Sequence, residues 1–337
     1  TILVPLLTGL DVGVALFCAG IGTLIFHICT GGRMPTFLGS SFAFIAAISS
    51  IIGNTAYGET RNEQVSAALG GIIMSGIIYL IFALIIKLTG SKIMDKLFPP
   101  VVRGVGVAII GLNLSMTAIN NIQSQYDAAG DAIPLFTEGY DMNLYVWSWI
   151  IAGIVCLCAI ILSSYGKGFF KMCYILISLV GGSILTSILP RANIAPAAVY
   201  NTEALAKYSL FQVPDFVFPT FNLAAIGKVA PIAIVTCVEH LGDVYANGEV
   251  VGKDFTKKPG LHRTMLGDGL ATIFAGFVGG PPNTTYSENT AVLAATGNYN
   301  PASLRIAALI AVLASFCGKA IGAIQSMPGA VLGGACI

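Results

Sequence analysis

Charged residues are scarce in this sequence. Asp, Glu, Lys and Arg make up only 10% of the 337 residues, whereas a soluble domain contains about 25%. Hydrophobic residues account for 55%, and the mean hydropathy is +0.83. This composition excludes an ordinary soluble domain and predicts an integral membrane protein. With 17 basic and 16 acidic residues, the chain also lacks the positive field that a nucleic-acid partner requires.

The residues on which metal centres and hydrolytic sites depend are also few. There are three His, and the eight Cys lie in apolar stretches without the spacing of metal ligands or paired loops. We interpret these Cys as reduced packing residues. The sequence shows neither a Ser-His-Asp arrangement nor a phosphate loop that ends in Lys-Ser or Lys-Thr. It therefore predicts no metal, no cofactor and no enzymatic activity.

Long apolar segments are what the sequence has instead, and they predict an all-α, polytopic membrane protein. Two further segments, 34–52 and 280–297, are apolar but carry Pro and hydroxyl residues that interrupt a helix. Continuous windows of about the 20 residues that span a bilayer lie near 10–29, 65–88, 99–119, 143–163, 169–189, 223–246, 263–279 and 301–325.

The two interrupted segments are predicted to enter the membrane from opposite sides. Lys and Arg concentrate in alternate connections, which marks those connections as cytoplasmic. Arg33 puts the entry of segment 34–52 inside, whereas segment 280–297 follows a span that starts at Arg263, so its entry lies outside. Paired interruptions of opposite direction predict an inverted repeat with a binding site between its halves. Both ends of the sequence fall within apolar segments, so we expect a fragment of a longer protein.

Three carboxylic acids occur at membrane depth. Glu239 and Asp243 are four residues apart in a helical segment and share one face, and Glu288 lies in the second interrupted segment. An ionised acid that faces lipid at the bilayer centre costs on the order of 3 kcal/mol, so all three must face protein or water. We predict that they bind a substrate and exchange a proton; for Asp243, a structural hydrogen bond is the alternative.

Two neighbouring polar residues are predicted to lie outside this site. His240 is about 100° around the helix from Glu239, so we expect it to point away and to form structural hydrogen bonds. Asp268 stands close to the start of its span, and we expect it to cap the helix or to pair locally.

Three motifs carry a resemblance to a known family. They read Glu239-His-Leu-Gly-Asp243, Pro282-Asn-Thr-Thr-Tyr-Ser-Glu-Asn289 and Leu38-Gly-Ser-Ser-Phe-Ala-Phe44. With these motifs in order, essentially the whole chain resembles the nucleobase-ascorbate transporter family, also called nucleobase/cation symporter-2. The nearest branch is that of the bacterial uracil permeases. Two departures are Ala291, where the family signature has Gly, and Asp243, where uracil permeases of the best-known type have a second His.

The resemblance implies a fold. The complete protein would have fourteen spans in an inverted repeat of seven, with short extended segments at the midplane of its two interrupted helices. A core domain would comprise 1–98 and 221–326, and a gate domain 99–220 and the start of its second half at 327–337.

The resemblance also implies a function, which is proton-coupled import of uracil by alternating access through the inner or plasma membrane. It leaves open xanthine or another nucleobase as substrate, sodium as the coupling ion, a homodimer and, as a less favoured alternative, anion transport. Proton coupling would fall to Glu239, Asp243 and Glu288. The implied uracil-binding residues are Glu239, Glu288, Tyr286, Ser287, Phe42 and Ser41.

Overall fold

The structure is a computed structural model that describes residues 2–90, 99–126, 132–133, 137, 139–192 and 208–337. Within its helices and strands, a few side chains lie outside the described part, among them those of Ser287 and Glu288. The chain divides into two compact units: Thr1–Gly111 with Ser209–Ile321, and Leu112–Tyr208 with Gly322–Ile337. The division into core and gate domains stays a prediction.

The first part of the larger unit begins with helices that have clear caps. Asp11 accepts a hydrogen bond from the Val14 N–H (2.7 Å) at the start of the helix Val12–Cys29, and Thr60 forms a capping box with Glu63 at the start of the helix Arg61–Thr89. The elements are α1 (Leu3–Thr8), α2 (Val12–Cys29), β1 (Leu38–Ser40), a 3-10 turn (Phe42–Phe44), α3 (Ile45–Ser49), a second 3-10 turn (Thr55–Tyr57), α4 (Arg61–Thr89) and α5 (Pro100–Gln123), whose residues from Leu112 onward belong to the smaller unit.

The smaller unit contains helices that expose apolar faces. On its helix Met142–Tyr165, five apolar residues recur at helical spacing and are all exposed: Val146, Ile150, Ile154, Leu157 and Ile161. Such a stripe is suited to lipid and not to water. This part of the chain contains β2 (Gln125–Tyr126), β3 (Ala132–Ile133), α6 (Met142–Tyr165), α7 (Phe169–Met172) and α8 (Tyr174–Ile188).

The last part of the chain returns to the larger unit and ends in the smaller one. Its elements are α9 (Leu223–Val229), α10 (Ile232–Val251), a π-helical turn (Thr256–Gly260), α11 (Leu261–Val278), β4 (Asn283–Thr285), α12 (Ser287–Thr296), α13 (Pro301–Ala314), α14 (Gly318–Gln325) and α15 (Gly329–Cys336). In the smaller unit, α15 packs on α6 and α8.

The core of the larger unit depends on close helix contacts through small residues. Helix α11 packs against both α4 and α2. A methyl group at Gly76 would lie only 2.8 Å from the carbonyl oxygen of Gly269, so the backbones of α4 and α11 approach at this point because neither residue has a side chain.

Every predicted window contains helix, but three windows contain two helices each. Window 169–189 holds α7 and α8, window 223–246 holds α9 and α10, and window 301–325 holds α13 and α14. The break in 223–246 falls at Pro231, which has no N–H to continue the helix. Within the described residues, four helical stretches are long and apolar enough to cross a membrane: Val12–Cys29, Arg61–Thr89, Met142–Tyr165 and Leu223–Val251.

Candidate functional site

Two short strands meet at the centre of the larger unit. Strands β1 and β4 pair antiparallel, with Leu38 opposite Thr285 and Ser40 opposite Asn283, and all six of their residues are buried. Ser41 extends the pairing, since its N–H donates to the Pro282 carbonyl at 2.9 Å. The strands satisfy each other's backbone groups where no water is present to do so.

Side chains from neighbouring helices anchor both strands. Asn283 donates through Nδ2 to the backbone carbonyl of Cys18 in α2 at 2.9 Å. The backbone carbonyl of Asn283 accepts from the Thr272 hydroxyl of α11 at 2.8 Å. On the other strand, the Leu38 N–H donates to the Thr23 hydroxyl at 2.8 Å. The strand pair therefore has a fixed position against α2 and α11.

An aromatic pair lies directly beyond the strand ends. The rings of Phe42 and Tyr286 are nearly parallel, at 16°, with centroids 6.1 Å apart. The Tyr286 hydroxyl donates to the Ser40 carbonyl, which orients its ring. Both side chains are partly buried, as is Glu239 on α10. Helix α10 packs against both the Phe42 turn and α12, so the three predicted site residues come from elements in mutual contact.

Asp243 faces inward to the strand pair. It is 4% exposed, and its Oδ2 accepts a hydrogen bond of 2.8 Å from the hydroxyl of Thr285 on β4. The sequence predicts Asp243 as a proton-exchanging residue, and the structure gives it a hydroxyl partner that no local sequence pattern indicates.

The predictions for His240 and Asp268 need correction. Both side chains are fully buried, and His240 Nδ1 lies 2.8 Å from Asp268 Oδ2. Asp268 therefore pairs across two helices and not locally, two turns inside α11 and away from its end. His240 does form hydrogen bonds, including one of 2.9 Å between its Nε2 and Thr264 Oγ1. It does not point away from the predicted site, since its Nδ1 is 3.3 Å from Thr285 Oγ1, whose hydroxyl group donates to Asp243.

Helix geometry explains the error over the direction of His240. At about 100° per residue, Asp243 lies about 40° from Glu239 and about 60° from His240, so it stands between them on α10. The prediction measured the angle from Glu239 alone. The signal for Asp268 was its own charge, because an acid between Gly267 and Gly269 in an apolar span must find a partner in the protein.

The remaining predicted ligands are Ser41, Ser287 and Glu288. Ser41 is 1% exposed, and within the described part of the chain its hydroxyl has no hydrogen-bond partner. Ser287 and Glu288 form the first turn of α12 directly after β4, and Tyr286 provides no side-chain cap there. The side chains of both residues lie outside the described part. Among the described residues, no group of three His, Cys, Asp or Glu side chains is arranged to hold a metal ion.

A buried polar site, built where two strands meet among apolar helices, is typical of membrane transporters. The comparison with protein families agrees. The Permease family matches residues 1–337, and the chain belongs to this family. Its members are transporters and not enzymes, and the resemblance found in the three motifs is confirmed.

Several curated relatives are similar along nearly the whole chain. A probable uracil permease of Haemophilus influenzae is 39% identical over 333 residues, which cover 99% of this chain and 73% of the relative. The uracil permease of Bacillus subtilis is 36% identical over 340 residues, with 99% and 72% covered. The uracil permease of Escherichia coli is 35% identical over 335 residues, with 99% and 71% covered.

Solved structures with a similar fold have little sequence in common with this chain. The transmembrane domain of the cyanobacterial bicarbonate transporter BicA has a TM-score of 0.70 at 16% identity and covers 99% of this chain and 82% of that chain. SLC26A9 has a TM-score of 0.67 at 17% identity, with 99% and 53% covered. The fold is accordingly that of an all-α membrane transporter, while the number of repeats stays a prediction.

Proposed function

We propose that the protein is a secondary active transporter that imports uracil with a proton by alternating access across the inner or plasma membrane. The observation that carries the proposal is the placement of Glu239, Phe42 and Tyr286 on elements in contact. The curated relatives that match nearly the whole chain are named as uracil permeases, which favours uracil as the substrate.

The chemistry of the centre suits a flat, neutral ring with alternating N–H and C=O groups. The faces of Phe42 and Tyr286 offer stacking surface, which is worth about 1–3 kcal/mol per base. Glu239 can accept from a ring N–H, and Glu288 is proposed as the second acceptor. The first-turn N–H groups of α12 and the Ser41 hydroxyl can donate to the ring carbonyls.

Proton coupling gives the transport of an uncharged base a driving force. A membrane potential of about 100 mV supplies roughly 2.3 kcal/mol per proton, which supports about fifty-fold accumulation. Glu239, Asp243 and Glu288 are the proposed proton sites. In the alternating-access scheme, the predicted core domain moves with the substrate against the predicted gate domain.

Other members of the same structural class transport anions, and this is the competing function. The similarity to the bicarbonate transporter is at the level of fold alone. Asp243 contacts the strand pair, and Glu239 is the proposed ligand beside it, so both acids would lie where an anion needs positive charge. Nucleobase transport therefore accounts better for the residues present.

Uptake into proteoliposomes tests the substrate and the coupling ion. Labelled uracil should accumulate when the outside is acidified, and unlabelled uracil should compete far better than xanthine, urate or ascorbate. A site that hydrogen-bonds its ligand rejects an analogue that leaves a buried partner unpaired. Equal competition by xanthine would move the assignment to a purine, and uptake that follows sodium would replace the proton.

A matched pair of variants on α10 tests the site. Glu239→Gln removes a charged hydrogen-bond acceptor worth about 1.5–3 kcal/mol, so the Kd for uracil should rise about 10- to 150-fold. Glu249→Gln makes the same change at an exposed position of the same helix and should leave the Kd unchanged. Equal binding by both variants would remove Glu239 from the site.

A further inference from the structure

Three successive backbone carbonyls lead into β1, and each accepts a hydrogen bond from a different helix. They belong to residues 35–37, which we call the entry segment and which form no helix or strand of their own. The first carbonyl accepts from Asn247 Nδ2 of α10 at 2.9 Å, the second from His27 Nε2 of α2 at 2.9 Å, and the third from Asn289 Nδ2 of α12. At membrane depth the segment needs such partners, because it has no helix to satisfy its backbone.

The direction of the bonds from Asn247 and His27 is fixed by their partners. A backbone carbonyl has no proton to donate, so Asn247 Nδ2 and His27 Nε2 must be the donors. Both side chains are buried, at 2% and 3% exposure. In the described part of the chain, their acceptor atoms, Asn247 Oδ1 and His27 Nδ1, have no hydrogen-bond partner. Because an unpaired buried acceptor costs free energy, these two side chains contribute to the structure through their donors.

Asn247 lies on the same side of α10 as Asp243. The two residues are four positions apart, which places them about 40° around the helix and about 6 Å along it from each other. Asp243 accepts from the Thr285 hydroxyl of β4 at 2.8 Å, whereas Asn247 donates to the entry segment of β1 and lies 3.3 Å from Thr36 Oγ1. Helix α10 therefore holds both strands, at two points one turn apart.

Three groups of the proposed uracil site depend on the position of β1. The Ser41 hydroxyl and the Phe42 ring directly follow the strand, and the Tyr286 hydroxyl donates to the Ser40 carbonyl. Strand β1 has only three residues, and a short strand pair is not stable without further packing. The bonds at the entry segment therefore contribute to the position of all three groups.

We infer that Asn247 and His27 are positioning residues that set the affinity for uracil by holding β1 in its binding position. The inference rests on the uracil site proposed above. Neither residue touches the substrate, since each acts through the carbonyl that it binds. Without one of these donors, β1 occupies other positions for part of the time, and the apparent Kd rises as the binding-competent fraction falls.

Substitutions that remove or keep the donor test this role. Asn247→Leu and His27→Leu each replace a buried donor by an apolar side chain. The Kd of the purified protein for uracil should rise about 5- to 30-fold in both, which corresponds to a competent fraction of roughly 3–20%. His27→Gln keeps an N–H near the position of Nε2, so it should bind uracil like the parent. If His27→Gln binds as weakly as His27→Leu, the donor is not what matters and the inference is wrong.

A purely structural role predicts a different pattern. In that case, Asn247→Leu and His27→Leu lower the melting temperature but keep the Kd of the parent, which would overturn the inference. Ser75→Ala is the control, because it removes a buried hydroxyl of α4 that donates to the Val229 carbonyl at 3.3 Å, away from β1. It should lower the melting temperature and leave the Kd unchanged.

Hydrogen–deuterium exchange of the backbone tests the position of β1 without any substrate. Exchange of the N–H groups of residues 36–42 should be faster in Asn247→Leu and His27→Leu than in the parent, His27→Gln or Ser75→Ala. Equal exchange in all of them would overturn the inference. If one apolar variant fails to fold, the other decides by the same two measurements. A parent that does not bind uracil refutes the proposed function and the role in affinity with it, whereas the exchange rates still show whether the two donors hold β1.

Discussion

The hydrogen bond between Thr285 and Asp243 should set the pH dependence of uptake to a measurable degree. It is 2.8 Å long, and its partners are 1% and 4% exposed, so water does not replace it when it is lost. A hydrogen bond to a charged group contributes about 1.5–3 kcal/mol, and one pH unit corresponds to about 1.4 kcal/mol. Because the hydroxyl donates to the ionised carboxylate, Thr285→Val favours the protonated acid. The midpoint at which uptake declines with rising pH should therefore move up by about 1–2 units.

The neighbouring residue provides the control for this substitution. Thr284 is equally buried in the same strand, and in the described part of the chain its hydroxyl has no hydrogen-bond partner. Thr284→Val makes the same change in shape without removing a donor from Asp243, so its midpoint should equal that of the parent. Initial rates of uracil uptake in proteoliposomes, measured from pH 5 to 9 at constant internal pH, give the three midpoints. The reasoning is refuted if Thr285→Val leaves the midpoint in place or moves it to the same extent as Thr284→Val.

Two further outcomes are expected. Glu288→Gln should weaken uracil binding about 10- to 150-fold in equilibrium binding to the purified protein, because an amide lacks the second acceptor oxygen of a carboxylate; retention of the parent Kd by a folded variant contradicts its role as a ligand. Gly76→Ala should destabilise the protein in detergent by about 1–3 kcal/mol through overpacking, since its methyl group would meet the Gly269 carbonyl oxygen at 2.8 Å. Gly227→Ala, where a methyl group meets no atom within 4 Å, should not destabilise it, and equal losses from both variants would contradict the close packing of α4 and α11.

The location of the helices could be read from the sequence because the membrane imposes a local rule. A span needs about 20 apolar residues whatever its neighbours are, and each predicted window accordingly contains helix. This length rule does not predict where a helix breaks inside a window. Pro231 is a local signal that ends α9, whereas the break after α13 coincides with a bridge between Phe211 and Cys317, a contact between distant parts of the sequence.

The candidate functional site can be predicted only in part from the sequence. An ionised acid that faces lipid has a high free-energy cost, so an acid at membrane depth indicates a site inside the protein. On this ground the predicted site includes Glu239, Asp243 and Glu288. The pairing of β1 with β4 joins residues more than 240 positions apart, with Leu38 opposite Thr285. No local pattern fixes that register, because it depends on where α2 and α11 hold each strand.

The error over His240 follows from that missing register. Without β4 in place, Thr285 is one hydroxyl among several, and the face of α10 that matters is judged from Glu239 alone. With β4 in place, the Thr285 hydroxyl lies between Asp243 and His240, and a residue expected to point away from the site contacts the hydroxyl that bonds a proposed proton site. An ionisable group inside a membrane protein is therefore better judged by the hydrogen-bond partners that the fold brings to it than by its angle on the helix, because a buried polar group must find a partner.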